Sequence, residues 1–238
     1  MNVVELAPFL PALARAGGFA ATAPLLGDPS TPVRVRLVFT VAVAAAITPR
    51  GADLAFDAAL ARLPFELAAG ALPGILARWI LERVATGGQL IGLHLGLGFA
   101  QSYDPSASES ATAARRLVAT IAGLAFLSAG GLEAGVRVVA TPTAPDRLAL
   151  GAVAAIDVAT SITSRAIAFA APVIVASLLL NVGFALINRA APAFNVFSLA
   201  LVAVVLGGGL VLLAAAPGTA AAIVSTAEDA TAALGSLP

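Results

Sequence analysis

Cysteine and lysine are missing from this 238-residue chain, and histidine, tyrosine, tryptophan and methionine occur once each. With no cysteine and one histidine there is no Cys/His zinc site and no H-E-x-x-H motif, because both need several ligands at fixed spacing. Without lysine, neither a Walker A loop nor a Schiff-base enzyme has its amine. Gly96 and Gly98 precede Gln101, where a dinucleotide fingerprint needs its third glycine, and no βαβ pattern surrounds them. No G-x-S-x-G elbow is present, and a hydrolase built on His94 would need a nucleophile and a carboxylate brought to it by the fold. The 13 basic residues are all arginines, and 13 acidic residues balance them to a formal charge of zero. With no clustered basic face there is no electrostatic footprint for nucleic acid. No catalytic group, cofactor or metal is expected.

Charge itself is scarce. Charged residues make up 11% of the chain and hydrophobic residues 60%, against about 25% charged in a soluble domain. Five runs carry no Asp, Glu or Arg: Leu37 to Thr48, Gly87 to Tyr103, Leu117 to Leu132, Ala166 to Asn188 and Val196 to Gly218. The last two exceed the ~20 residues that cross a bilayer, and the shorter ones fit a span, a re-entrant segment or a buried helix, so roughly four to seven spans are expected. The composition predicts an all-α, multi-helix integral membrane protein. One helical membrane unit is expected over residues 1–216, with a short tail over 217–238 that is either helical or unstructured. The N-terminal "MNVVELAPFLPALARAGG" has Glu5 ahead of its apolar run and no basic leader, so it is expected to persist as a helix.

Local signals mark several boundaries. In "DPSTPVRVR", Thr31 is placed as an N-cap and Pro32 at the first helical position. "TPTAPDR", residues 141–147, reads as an exposed connection. In "NRAAPAFNVF", Arg189 sits where a cation complements a helix C-terminus, Pro192 stops the helix, and Asn195 is an N-cap for the next one. A tight helical turn accounts for this pattern, and a role in assembly is compatible with it.

Three period-four or stripe patterns stand out. Gly88, Gly92, Gly96 and Ala100 form a ridge without side chains, suited to close helix packing. His94 and Gln89 lie off that ridge and are expected to face protein or water. Glu66, Gly70, Gly74, Arg78 and Glu82 form a second series, in which Arg78 and Glu82 can pair across one turn. Its ionisable groups face either a bundle interior or solvent, and Pro64 and Pro73 argue against one straight span. Asp157, Thr160, Ser161, Ser164 and Arg165 make a polar stripe that suits an aqueous path, a partner helix or an extramembrane turn. Glu66, His94, Asp157 and Arg165 are the candidates for buried polar groups.

The order of these signals resembles a known family. "RAGGFAATAPLLGDPSTPVRVR", "GGQLIGLHLGLGFAQSYDP" and "APVIVASLLLNVGFALINRAAPAFNVF" are similar, in that order, to segments of FliR, the membrane subunit of the flagellar type III export gate. The resemblance covers about residues 10–215. It implies a non-enzymatic subunit built of kinked helical hairpins, assembled with FliP-like and FliQ-like subunits beside FlhA-like and FlhB-like proteins. It also implies a multi-pass location in the bacterial inner membrane, within the flagellar basal body, and export of unfolded flagellar proteins. By position, the family's pore-closing plug corresponds to residues 96–111, with Gly96, Phe99, Tyr103, Asp104 and Pro105 as seal and turn candidates. Gly88, Gly92, Arg189, Pro192 and Asn195 are the packing and assembly candidates. Departures include His94 where the family commonly has glutamine, Leu95 where methionine is frequent, and Leu132, Ala200 and Val202 at other family positions. A gate subunit of a virulence secretion system and a small polytopic transporter are the alternatives.

Overall fold

The computed structural model describes residues 7–49, 54–95, 113–142, 144–190 and 196–237, with the side chains of 196–201 not included. Over these residues the chain forms seven helices and no strand: α1 (Phe9–Thr22), α2 (Val33–Ile47), α3 (Phe56–His94), α4 (Ala113–Ser128), α5 (Gly131–Ala140), α6 (Pro145–Ala190) and α7 (Val196–Gly235). The all-α class follows from the physics of lipid. A chain this apolar must satisfy its backbone polar groups internally, and a helix does so within one segment.

The charge-free runs do not set the helix lengths. α3 has 39 residues, α6 has 46 and α7 has 40, roughly 58, 69 and 60 Å at 1.5 Å per residue, against a hydrocarbon core of ~30 Å. Three helices are long and apolar enough to cross a membrane, or four if α4 and α5 form one broken span. Among the described residues that count meets the expected four to seven only at its lower end. Pro64 and Pro73 lie inside α3, Pro172 inside α6 and Pro217 inside α7. The C-terminal segment is therefore helical and continuous with what precedes it, with Ala227, Ala230 and Leu234 buried.

Two compact units are present. The first takes Met1–Leu81, Ala125–Thr160 and Ala227–Pro238. Its core holds Ala12, Ala16, Phe19, Ala23, Val43, Ala44 and Val139. The Phe19 ring is fully buried and lies 6.3 Å from that of Phe39 on α2. Alanine dominates this core because the helices approach closely. A Cβ on Gly18 would meet the Leu67 carbonyl and the Ala71 nitrogen of α3, and one on Gly135 would meet the Phe19 ring. α4 ends at Ser128, Gly130 at the N-cap of α5 has a φ of +79° in the left-handed region, and α5 leaves at 63° to α4. Glycine suits that turn because a Cβ is strained there.

The second unit takes Glu82–Leu124 and Ser161–Thr226. Ile91 and Leu95 on the α3 side pack with Ala170 and Val173 of α6, flanked by Phe169, Val211 and Leu212. Large side chains of α6 and α7 remain uncovered, among them Leu178, Leu179, Leu186, Leu206, Leu210 and Leu213. In the most apolar stretch of α6 17% of residues are buried within the chain, and in that of α7 11%. Such faces belong against lipid or other helices.

Thr31 does not cap α2. Pro32 is the N-cap residue and no side chain caps it, because the Thr31 hydroxyl donates to the Leu25 carbonyl at 2.5 Å. The connection after Ala140 is exposed at Thr141, Pro142 and Ala144, and α6 starts on Pro145.

Candidate functional site

Within the first unit, the half of the period-four series that carries Glu66, Gly70 and Gly74 lies against α1. A Cβ on Gly70 would collide with the Arg15 backbone, and one on Gly74 with Thr22 and Ala23. Thr22 Oγ1 donates across the contact to the Ala71 carbonyl at 2.9 Å. At one end of this seam Arg15 pairs with Glu66, whose side chains are 12% and 11% exposed. Arg15 Nε donates to Glu66 Oε2 at 2.6 Å, while Nη1 reaches the carbonyls of Val139 at 3.2 Å and Thr141 at 2.9 Å. One guanidinium thus joins α1, α3 and the end of α5, where a cation also suits the helix dipole. The five donors of arginine make such a three-way tie possible. Arg15 escaped the sequence reading, although it is the sole charged residue in the Phe9–Thr22 helix.

Glu82 does not pair with Arg78. Its carboxylate holds Arg115 of α4 through a salt bridge, and Thr86 Oγ1 donates to it at 3.2 Å. Arg115 stands in the first turn of α4, where no acidic residue lies and where the dipole disfavours a cation, so a partner on another helix stabilises it there. That misplaced charge was the available signal. Gly88 lets the helices meet: its Cβ would come 3.0 Å from Val118 Cβ and 3.1 Å from the Ala114 carbonyl. The small ridge therefore packs on α4 at Gly88, and Gly92 is buried.

His94, at the end of α3, is exposed yet linked to α6, with Nδ1 3.0 Å from Ser177 Oγ. Ser177 is fully buried. In the polar stripe of α6, Ser161 accepts from Arg83 Nη2 at 2.9 Å, whereas Thr160 and Ser164 turn their hydroxyls onto carbonyls of their own helix. Asp157 and Arg165 are exposed on the chain taken alone, in the middle of a helix, and Glu66 is 8% exposed. Arg189 lies exposed in the last turn of α6. Gly96, Phe99, Tyr103, Asp104, Pro105, Pro192 and Asn195 lie outside the described residues.

In the connection between α1 and α2, Asp28 Oδ1 accepts from the Ser30 amide at 2.8 Å. The side-chain and backbone hydrogen bonds from Ser30, with smaller help from Arg78 and Arg36, hold its carboxyl below the usual value of 3.8. Among the described residues no group of three or more His, Asp or Glu side chains is placed to hold a metal ion.

These features define a class: a polytopic helical membrane protein in which polar side chains such as Arg15, Glu66, Glu82, Arg115 and Ser177 tie helices together. The family is narrower. Residues 6–230 match the family model described as "Bacterial export proteins, family 1", and the chain belongs to that family. It is 30% identical over 214 residues to the flagellar biosynthetic protein FliR of Caulobacter vibrioides, covering 84% of this chain and 85% of the relative. The FliR proteins of Escherichia coli and Aquifex aeolicus are 29% and 28% identical, over 78% and 84% of this chain and 75% and 81% of theirs. The chain is a FliR-type component of flagellar export, and its long apolar helices make it a membrane component.

Proposed function

We propose that this chain is a non-enzymatic subunit of a flagellar export gate, which helps form and close the conduit for unfolded flagellar proteins across the inner membrane. The observation that carries the reading is the family match along nearly the whole chain, residues 6–230. The uncovered apolar faces of α6 and α7 support it, since a subunit of a helical assembly leaves such faces for neighbours and lipid. FliP-like and FliQ-like subunits are its proposed neighbours, with FlhA-like and FlhB-like proteins beside them in the basal body. Closure is assigned to residues 96–111, where Phe99 and Tyr103 would exclude water and Gly96, Asp104 and Pro105 would shape the turn. Assembly contacts are assigned to Arg189, Pro192 and Asn195 at the α6/α7 turn.

Purification from native membranes in mild detergent tests the assembly. Recovery with FliP-like and FliQ-like chains is expected. Recovery with the corresponding injectisome chains would assign it to a virulence system, and a stable homomer that moves a solute into liposomes would make it a transporter. For closure, replacing 96–111 with a Gly/Ser linker is expected to raise ion leakage and impair export, and unchanged leakage would remove that assignment.

A further inference from the structure

We propose that His94 and Arg115 are a pair of positioning residues that fix, by side-chain clasps, the two points where the chain leaves α3 and enters α4. His94 is the last residue of α3 and Arg115 the third of α4. Each reaches a polar partner on another helix of the second unit: His94 to Ser177 of α6, Arg115 to Glu82 and Thr86 of α3. The last turn of α3 and the first turn of α4 are thereby set by named contacts.

The His94 clasp has a definite protonation pattern. Ser177 Oγ lies 2.9 Å from the Ile174 carbonyl oxygen and 3.0 Å from His94 Nδ1. A serine hydroxyl has one hydrogen and a carbonyl has none, so both bonds form together only if serine donates to Ile174 and Nδ1–H donates to serine. His94 is thus held as the Nδ1–H tautomer, the minor form of a free neutral imidazole, with Nε2 left as an acceptor. Arg115 is fixed differently: its Nη2 pairs with Glu82, its Nη1 stands 3.5 Å from Thr86 Oγ1, and that hydroxyl donates to Glu82 at 3.2 Å. Gly88 admits the turn of α4 that carries Ala114 and Val118.

Because the chain has one histidine, selective 15N-histidine labelling of the full-length protein in detergent reports this ring alone. The neutral ring is expected to show a protonated Nδ1 and an unprotonated Nε2, with the preference shifting to Nε2–H in Ser177→Ala. A native ring in the Nε2–H form, or one that ignores Ser177→Ala, would overturn the clasp.

The positioning role rests on the proposed export function and is read by secretion at matched levels of membrane-inserted chain. His94→Leu and Arg115→Ala are expected to lower secretion. His94→Asn, whose amide nitrogen stands where Nδ1 does, and the exchange Glu82→Arg with Arg115→Glu are expected to restore it. A correct tautomer with secretion unmoved by His94→Leu would overturn the positioning role alone. Purification without FliP-like and FliQ-like chains would instead strike the export reading and leave the tautomer result standing.

Discussion

Replacing Gly70 by alanine, with Gly183→Ala as an internal control, separates a glycine required by packing from one that is merely tolerated. A Cβ at Gly70 would lie 2.7 Å from the Arg15 carbonyl carbon, 2.9 Å from its Cα, and closer still to its carbonyl oxygen. Carbon atoms rest at about 3.5–4.0 Å, so α1 must retreat by about 1 Å, and no side-chain rotation relieves a backbone clash. The retreat stretches the 2.9 Å bond from Thr22 to the Ala71 carbonyl beyond hydrogen-bond range. Overpacking costs about 1–3 kcal/mol and the lost bond about 1 kcal/mol. Alanine's better helix propensity returns up to ~1 kcal/mol, leaving a net loss of roughly 1–3 kcal/mol. Around Gly183 nothing lies within 4 Å, so alanine there meets no clash, and helix propensity alone stabilises by about 0.5–1 kcal/mol. Thermal unfolding of the isolated chain in detergent, followed by circular dichroism, should place Gly70→Ala roughly 2–12 °C below the native midpoint. Gly183→Ala should fall at or above that midpoint. Equal midpoints for the two variants would refute the close approach of α1 and α3.

Three further outcomes follow from the same geometry. Glu66→Ala strands a guanidinium that is 12% exposed, so a loss of about 3–5 kcal/mol is expected, and Arg15→Ala with Glu66→Ala together should cost less than the sum of the single losses; additive losses in a double-mutant unfolding cycle would contradict the tie. Gly130→Ala forces a Cβ into a φ of +79° and should lower stability by about 1–2 kcal/mol, with Gly130→Asn milder, since nothing crowds the site and only the backbone is strained. Asp28 has a folded pKa below its unfolded value, so its contribution is complete above about pH 3.8 and is lost as the pH falls toward the lower folded value; unfolding midpoints of Asp28→Asn should show a weaker decline over that acid window, and an unaltered decline would count against the Ser30 bonds.

Helical class and membrane character were legible because composition alone excludes a soluble core. The period-four series showed that Gly70 and Gly74 share a face, but which helix they meet depends on Arg15 and Gly18, 50 or so residues away in sequence. Glu82 shows the same limit: Arg78 satisfies the local spacing rule, and Arg115 wins because burial against α4 brings a cation that lacks acidic company in its own first turn. Thr31 fits a cap by residue type, yet its hydroxyl is taken by the Leu25 carbonyl once the chain turns back after α1. The charge-free runs did not set the helix lengths because such a run marks where lipid is tolerated, while a helix continues through charged residues and internal prolines. Ser177 went unremarked as a small polar residue in an apolar run, and its meaning depends on His94, which a separate helix delivers. Of the family-implied plug residues, none falls among the described ones, so their proposed role rests on the resemblance and on water exclusion by aromatic side chains.

Secretion reads the proposed service of this chain in flagellar protein export without intermediaries. In the native organism, deletion of the gene should abolish release of flagellar filament and hook proteins into the medium, while their synthesis continues inside the cell, and a copy supplied in trans should restore release. Undiminished secretion of those proteins by the deletion strain would contradict the account.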